Sequence, residues 1–480
     1  MGFEAQNVVL IMVSTAIVLG ATSLFAIYLG RRTKSADDWN VGGRSLPFYV
    51  IVGTQYATAM GGGVLVAHVG IGYKSGWSVL TYGLLVAGGI AFFALLAPWL
   101  RKQNFTTLPD VLERFYGTNK FLKAVTAVAC IIVPFGWIAT QLVAFAKIFT
   151  AITGISMPIL MCGFAVISVL FVIPAGLTSV AWTDFVFGLI MLAMSLFSAI
   201  YAVEMSGGWD KVVATVPASL ISLPEGMFAV GGTTIALWCL AILPGTLTNQ
   251  LYYQRIFAIQ NVNLVRWSLV SSALVFFTAE IWAGFMGMSI LTANPSLSPE
   301  QAAGWFLTQV PVWFLALYAG FVAATIVSTI DSAIQSSVVN MTHDIYKKLI
   351  NPEVSDGKML VLSRWLSVVV TAIALIWAIA WPEALGWLVA SYAYSASVLL
   401  FPLFLGYFMR DSNFLTPQGA IAGMICGLVG CGIGQAMGGK VAGLSMPYVA
   451  YGLIASLAGL LVVSILTRRT AAAEPAVGQK

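Results

Sequence analysis

The sequence predicts an all-α integral membrane protein, and three observations lead to this fold class. Of the 480 residues, 59% are hydrophobic and only 9% are charged. A soluble domain carries about 25% charged residues, so a soluble chain of this composition could not cover its core with polar side chains. Apolar runs long enough to cross about 30 Å of hydrocarbon recur along the whole chain. We therefore expect the lipid bilayer to surround most of the protein.

Thirteen such runs divide the chain, and the loops between them are too short to form a soluble domain. We therefore predict one transmembrane domain at 1–470 and a disordered cytoplasmic tail at 471–480. Leu108–Tyr116 is amphipathic and predicts a short surface helix. The predicted spans are 6–29, 47–72, 77–100, 121–151, 156–175, 179–204, 229–248, 267–291, 311–340, 361–381, 385–407, 417–437 and 447–467.

The distribution of basic residues predicts the orientation of these spans. Of the 23 Lys and Arg residues, 19 lie in loops on one side of the membrane, three lie on the other, and Lys147 lies within the fourth span. Cytoplasmic loops carry the excess of Lys and Arg in membrane proteins. We therefore expect the N-terminus outside and the C-terminus in the cytoplasm, which requires an odd number of spans.

The residues that usually carry chemistry exclude several classes of protein. The five cysteines have no metal-ligand spacing, and the two histidines, His68 and His343, are far apart in the sequence. We expect neither a metal centre nor a catalytic constellation, and we predict that the protein is not an enzyme. The net charge of +5 comes mainly from the loops between spans, so it does not indicate a nucleic-acid partner.

Two predicted spans contain residues that break helices. Gly61–Gly63 lies near the middle of the second span, and Pro244-Gly245 lies in the seventh. Backbone groups freed by such a break are tolerated in a membrane only where they line a cavity. The two spans are five apart and so run in opposite directions, as inverted repeats require. Close helix packing at the glycines and a simple proline kink are the alternative explanation.

The ninth span carries a polar stripe on an otherwise apolar helix. At about 100° per residue, the stripe is roughly 160° wide. Ionisable groups at membrane depth usually face a bundle interior, a cavity or an ion path. We interpret the stripe as part of a cation site. Its members are Thr325, Ser328, Thr329, Asp331, Ser332, Gln335 and Ser336.

Six short segments with consistent spacing resemble the sodium:solute symporter family, with a pattern shared by its proline- and choline-transporter-like members. The resemblance implies sodium-driven import of a small solute by alternating access across a bacterial inner (plasma) membrane. It also implies a LeuT-type core of two inverted five-helix repeats at 47–407, with one extra span at 6–29 and two more at 417–467. The segments are Gly42–Pro47, Gly70–Tyr73, Ala181–Asp184, Asn249–Arg255, Ser328–Ser332 and Asp344–Lys347.

The resemblance implies a main sodium site between the second and ninth spans. Its ligands would be the backbone carbonyls of Ala57, Met60 and Thr325 and the hydroxyls of Ser328 and Thr329. Oxygen ligands suit a hard cation, and an unwound helix frees carbonyls. Most family members have Ala at position 325, a change that a carbonyl ligand tolerates. Hydrogen bonds from the two hydroxyls back to their own helix are the alternative.

A second cation site is implied by Asp184, near the cytoplasmic end of the sixth span. In relatives with a second sodium, this Asp and the Ser matching Ser332 take part, whereas Asp331 stands where those relatives have Ser. Two carboxylates could hold a second sodium or share a proton, so we expect one or two sodium ions. The alternative role for Asp184 is to cap the N-terminus of its own helix.

The substrate is expected between the two broken spans, in contact with Gly61, Gly62, Gly63, Val64, Tyr82, Trp137, Trp238, Gly245 and Asn249. Ala59 and Asn249 replace tryptophans of the choline-transporter-like members, and Val64 replaces a glutamine of the galactose transporter. Choline and hexoses are therefore disfavoured. Lys147 matches a basic residue of proline and pantothenate transporters and would either attract an anion or extend to the headgroups. A small amino acid or organic acid is the expected substrate.

A symporter-like membrane sensor and a proton-coupled transporter of the same fold are the alternative functions. A sensor would carry a signalling domain after the last span, where the sequence has only the tail at 471–480. Glu280, in the middle of the eighth span, has no implied role and is expected to have an internal structural partner. The expected partners of the protein are its substrate and the lipid bilayer, with no nucleic acid and no obligatory protein partner.

Overall fold

The structure is a computed structural model that describes residues 5–31, 35–172, 176–412 and 414–471. Within these ranges the chain is helical apart from its connections, an isolated bridge between Leu46 and Ile259, and one antiparallel pair of two-residue strands, Lys440–Val441 and Leu444–Ser445. Ala471 ends the last helix, and the rest of the predicted tail lies outside the described residues.

Fourteen apolar helices and one amphipathic helix make up most of the described chain. Each predicted apolar run coincides with one of these helices, or with a bent pair of them. In chain order they are α1 (Ala5–Gly30), α2 (Phe48–Ala59), α3 (Gly63–Ser75), α4 (Ser78–Lys102), α5 (Leu108–Tyr116), α6 (Lys120–Thr153), α7 (Met157–Val172), α8 (Leu177–Met205), α9 (Gly232–Ala258), α10 (Val262–Ala293), α11 (Val312–Ile350), α12 (Asp356–Ala380), α13 (Ala384–Phe408), α14 (Pro417–Ala436) and α15 (Tyr448–Ala471).

Among the described residues, fewer helices are long enough to cross a membrane than the thirteen apolar runs of the sequence. Eleven helices in the described ranges are long and apolar enough to span, and the bent pair of α2 and α3 would be a twelfth. α7 has 16 residues, about 24 Å at 1.5 Å per residue, which is shorter than the hydrocarbon core. The structure thus supports eleven to twelve spans, and the exact count of thirteen stays a prediction.

Short helices fill the connections between the long ones. The α-helical pieces are Ala36–Val41, Trp209–Thr215, Ala218–Ile221 and Ala302–Leu307, and the 3₁₀ turns are Gly42–Arg44, Glu225–Phe228 and Pro299–Gln301. The predicted amphipathic helix α5 is present and starts with a capping box between Thr107 and Asp110. Its apolar residues, among them Leu108 and Leu112, are buried against the bundle.

The second predicted span is broken at its glycines, as the sequence indicated. α2 and α3 meet at an angle of 52° across the residues Met60–Gly62. An added Cβ at Gly61 would overlap the hydroxyl of Thr329 on α11, and one at Gly62 would overlap Ala144 on α6. Glycine is therefore required here for close approach as well as for the break, because larger side chains would push α11 and α6 away.

The seventh predicted span is interrupted later than expected. The helix continues through Pro244-Gly245 to Leu247, and the interruption falls at Thr248 and Asn249. Proline removes only its own N–H donor, which a packed helix tolerates in a bundle. The chain breaks where Asn249 adopts an extended backbone and its Oδ1 accepts a hydrogen bond from the Leu251 N–H at 3.0 Å, capping the next helical segment.

α11, which carries the polar stripe, lies in the centre of the bundle. It packs against α1, α2, α6, α7, α8 and α12. Every residue from Val322 to Asn340 is buried. A helix surrounded on all sides needs a partner for each polar group on its surface, and these partners define the candidate site.

Candidate functional site

The end of α2 meets the polar stripe of α11. The Thr329 Oγ1 lies 3.4 Å from the Ala57 carbonyl oxygen and 3.3 Å from the Thr325 carbonyl oxygen, and it can donate to either. Because α2 ends at Ala59, its last carbonyls have no partner within the helix. Met60 is the residue that follows this end. Three of the five predicted sodium ligands, Ala57, Thr325 and Thr329, thus have their oxygens close together next to the glycine break.

The fifth predicted ligand, Ser328, points toward a buried carboxylate. Its Oγ donates a hydrogen bond to Asp184 Oδ1 on α8. Asp184 Oδ2 accepts hydrogen bonds from Thr54 at 2.6 Å and Thr58 at 3.0 Å, both on α2. Asp184 lies two turns inside α8, which begins at Leu177, so the alternative role as a helix cap is wrong.

Arg255 completes this polar network, and the sequence analysis missed it. Its Nη2 lies 3.5 Å from Asp184 Oδ2 and donates to Thr58 Oγ1 at 2.6 Å and Ser332 Oγ at 2.9 Å. Arg255 follows the predicted seventh span, where a loop residue that sets the orientation is expected, yet it is 1% exposed within α9. The sequence did contain an indication of this role. Arg255 belongs to a segment that resembles a transporter motif, and an arginine in such a motif is seldom a simple loop charge.

Asp331 and Ser332 have different surroundings, although the sequence groups both with Asp184 in a second cation site. The Asp331 carboxylate faces a small cavity between α1, α7, α8 and α11, lined among others by Thr22, Thr183 and Ser328. Its Oδ1 has no hydrogen-bond partner among the described residues. The predicted second site is therefore divided: Ser332 faces Arg255 on one side of α11, and Asp331 faces α1 on the other.

A small cavity of about 20 Å³ lies beside the glycine break and extends to Thr329. Of the predicted substrate contacts, Gly63, Val64, Tyr82 and Trp137 line it. Residues that the sequence analysis did not propose as substrate contacts complete its wall, namely Thr58, Ala59, His68, Val86, Gln141, Tyr252, Phe276, Thr329, Leu388 and Tyr392.

The remaining predicted substrate contacts are not among the residues that line the cavity. Gly61 and Gly62 form the break itself, and the Gly62 N–H donates to Gln141 Oε1 at 2.6 Å. Trp238 packs edge to face on Tyr82, with 5.3 Å between ring centroids. Gly245 provides the space for Tyr392, and Asn249 caps a helix as described above.

Lys147 and Glu280 each have a partner inside the protein. The Lys147 ammonium contacts the Glu300 carboxylate, which also accepts the backbone N–H groups of Ala384 at 3.1 Å and Leu385 at 2.9 Å. Lys147 is not among the cavity residues of the described chain. Glu280 has the internal partner that we expected: its Oε1 lies 2.8 Å from His68 Nδ1.

The broken helix, the oxygens beside it and the adjoining cavity are features of membrane transporters with discontinuous helices. A family model of the sodium:solute symporter family matches residues 39–427. The chain belongs to this family. The protein is therefore a transporter and not an enzyme, and membership in a bacterial symporter family supports an integral inner-membrane location and coupling to sodium.

Similarity to individual proteins extends over nearly the whole chain. The sodium/proline symporter of Escherichia coli K12 is 24% identical over 96% of this chain and 94% of its own length. The sodium/glucose cotransporter of Vibrio parahaemolyticus is 23% identical over 98% of this chain and 91% of its own. Because these relatives carry different solutes, the family alone does not name the substrate.

Solved structures show the same fold. A Na⁺-coupled sialic acid symporter in a substrate-bound outward-open state superposes with a TM-score of 0.81 at 18% identity, over 95% of this chain and 98% of that one. Mhp1, a nucleobase-cation-symport-1 family transporter in a closed conformation, superposes with a TM-score of 0.59 at 13% identity, over 92% and 96%. At these identities the likeness concerns the fold.

Proposed function

We propose that this protein imports a small organic solute by sodium-coupled symport with alternating access. The observation that carries the proposal is the position of Thr329. Its hydroxyl lies within hydrogen-bond distance of the Ala57 and Thr325 carbonyls, and the same residue lines the solute cavity. An ion bound at these oxygens and a solute in the cavity would stabilise the same arrangement of α2 and α11. Each would then strengthen the binding of the other, and this mutual effect is the coupling free energy that symport requires.

Sodium would bind to the carbonyls of Ala57, Met60 and Thr325 and the hydroxyls of Ser328 and Thr329. These five groups are all oxygens, as a hard cation prefers. Ser328 also hydrogen-bonds Asp184, whose negative charge would therefore act on the ion through one intervening hydroxyl. The helix break that frees the carbonyls beside the cavity is the arrangement used by transporters with discontinuous helices.

We further propose that a single sodium drives transport and that Arg255 takes the role of a second cation. Its guanidinium contacts both Asp184 and Ser332, so the negative charge of Asp184 already has a fixed counter-charge. If transport does use a further cation, a proton or a second sodium would bind at Asp331. Its unpartnered Oδ1 is the observation that keeps a proton-coupled transporter as the second candidate function.

The proposed topology follows the sequence. Thirteen spans would place the N-terminus outside and the C-terminus in the cytoplasm. The core at 47–407 would contain the two inverted five-helix repeats. The helices α1, α14 and α15 would lie outside those repeats, although α1 packs directly on α11 and contributes Thr22 to the Asp331 cavity.

Uptake into proteoliposomes tests the proposal. An inward sodium gradient should drive accumulation of the solute, and potassium in place of sodium should abolish it. Thr329→Ala and Ser328→Ala should each raise the sodium concentration for half-maximal uptake about tenfold or more, because each removes an oxygen from a charged ligand set. Ser337→Ala is the matched control, since this buried α11 hydroxyl donates to its own helix at Ala333. Accumulation that persists in potassium would contradict sodium symport.

A further inference from the structure

His68 lies in the wall of the solute cavity and is hydrogen-bonded to the buried carboxylate of Glu280. His68 lies on α3 just after the helix break, and Glu280 lies in the middle of α10. The His68 Nδ1 is 2.8 Å and 3.0 Å from the two Glu280 carboxylate oxygens. The two residues are 3% and 0% exposed. A buried carboxylate is costly unless a partner compensates it, and His68 is the partner within ion-pair distance among the described residues.

The surrounding residues hold this pair in one orientation. Gly83 on α4 leaves room for the Glu280 side chain, which an added Cβ would overlap. The Tyr82 ring packs on the imidazole with 4.5 Å between centroids, and Trp238 packs on Tyr82 from behind. Because Glu280 occupies Nδ1, the nitrogen that remains for a solute is His68 Nε2.

The polar groups left around the cavity are mainly hydrogen-bond donors. Trp137 Nε1 has no partner among the described residues, and an indole N–H can only donate. The Gln141 Oε1 already accepts the Gly62 N–H, so the amide group that remains free to bind is its NH₂. The hydroxyls of Tyr82 and Tyr252 are also without partners there. These donors favour a solute that presents acceptor oxygens, and a carboxylate satisfies several donors at once.

A bound carboxylate also needs positive charges nearby to balance its own charge and that of Glu280. No Lys or Arg lines the cavity within the described chain. A bound monocarboxylate together with Glu280 gives two negative charges, and one sodium balances only one of them. Protonation of His68 supplies the second positive charge and turns Nε2 into a donor. A zwitterionic amino acid carries no net charge, so Glu280 and sodium would balance without any proton.

We propose, on the basis of the symport function above, that the solute is a small monocarboxylate bound by His68 Nε2–H, and that the His68–Glu280 pair takes up one proton from solution when the solute binds. The apolar residues Ala59, Val86, Phe276 and Leu388 would enclose the body of the solute. His68 is thus the residue that recognises the acid, and Glu280 is a positioning residue that orients the imidazole and favours its charged form.

Other titratable groups near the pair leave this assignment unchanged. They are Tyr82 from α4, Tyr252 from α9 and Tyr392 from α13, which all line the cavity. A free tyrosine ordinarily loses its proton only near pH 10, so a pH dependence of binding near neutral pH would not come from these hydroxyls.

Sodium-dependent binding to the purified full-length chain tests the proposal. The probes are acetate, propionate, pyruvate and phenylacetate, with the corresponding amides and the amino acids glycine, alanine and phenylalanine. Carboxylates should bind at saturating sodium and the amides should not. Their dissociation constants should rise by up to about tenfold per pH unit as the pH increases through the titration of the pair, because the bound state holds one more proton. Carboxylate binding that is independent of pH, or stronger binding of the amino acids, would overturn the proposal.

Variants separate recognition from positioning. His68→Gln should weaken carboxylate binding about tenfold or more and remove its pH dependence. Glu280→Gln should also remove the pH dependence but should keep carboxylate binding at about pH 8, because the anion and sodium then balance. His343→Gln is the control: it replaces the other histidine, which lies near Asp110 away from the cavity, and the pH dependence should persist.

The two proposals fail in different ways. If a solute of another class accumulates under a sodium gradient, sodium symport stands and the monocarboxylate assignment is wrong. If carboxylates bind with the expected pH dependence but without any effect of sodium, the assignment of the cavity stands and sodium coupling is wrong. Should His68→Gln not fold, the pH dependence of the unaltered protein still decides the question.

Discussion

Removal of the Arg255 guanidinium is predicted to destabilise the protein strongly. Arg255 and Asp184 are 1% and 0% exposed, with 3.5 Å between Nη2 and Oδ2. At an effective dielectric constant of about 20, this distance corresponds to an attraction of about 5 kcal/mol. Removal of one partner of a buried pair costs about 3–5 kcal/mol, because the other charge remains buried alone. Arg255→Met should lower the free energy of unfolding by a similar amount.

The assay is denaturant unfolding of the purified protein, followed by tryptophan fluorescence, for both single variants and the double variant. Asp184→Asn should also destabilise, and the double variant should lose at least about 2 kcal/mol less than the two single losses combined. Arg364→Met, on the exposed face of α12, should change the free energy of unfolding by no more than about 0.5 kcal/mol. Additive losses at Arg255 and Asp184 would refute the reasoning.

Sodium provides a second measurement on the same variant. Without the guanidinium, Asp184 and Ser332 would face each other across a space that lacks a cation. Sodium should then stabilise Arg255→Met more than it stabilises the unaltered protein, because the ion gains a second place to bind. An equal effect of sodium on both proteins would show that the guanidinium does not take the role of a cation.

Two further predictions concern the helix break and the end of α11 that carries His343 and Lys348. Gly61→Ala should abolish sodium-dependent uptake because the added Cβ would overlap Thr329, whereas Gly163→Ala, which has open space around it, should retain it. Burial alone would raise the pKa of Asp110, but the neighbouring His343 and Lys348 outweigh burial and hold it below its ordinary value. The ionised Asp110 carboxylate therefore stabilises the fold at any pH above its ordinary pKa of 3.8, and this contribution is lost only as the pH falls well below 3.8. Asp110→Asn should lower the unfolding temperature at pH 7 and should have a smaller effect in acid.

The sequence predicted the helical architecture well because membrane spans have a simple physical signature. A run of about 20 apolar residues has few alternatives to a helix in a bilayer. The break at Gly61–Gly63 could be found for the same reason, since three consecutive glycines weaken any helix. The break at Thr248 and Asn249 could not be found from the sequence. Pro244 is a stronger local indication of a break, and the cap at Asn249 depends on a single hydrogen bond.

The polar stripe of α11 shows why the site was harder to predict than the fold. Consecutive residues on a helix are about 100° apart, so Asp331 and Ser332 point in clearly different directions. On a helix at the edge of a bundle both would face the same neighbour. α11 is surrounded, and the two edges of its stripe therefore contact different helices: Ser332 meets Arg255 of α9, and Asp331 meets α1 and α8. The pattern identified the stripe, but the partners depend on packing.

Most ionisable side chains inside the bundle have a partner that is distant in the sequence. Asp184 contacts Arg255, Glu280 contacts His68, and the half-buried Lys147 contacts Glu300. Asp331 takes part in no ion pair in the described part of the chain, although it is only 7% exposed. A buried carboxylate without a counter-charge must be protonated or bind a cation. Any ion that this transporter uses beyond the sodium proposed to bind at Thr329 is therefore expected at Asp331, between the core and α1.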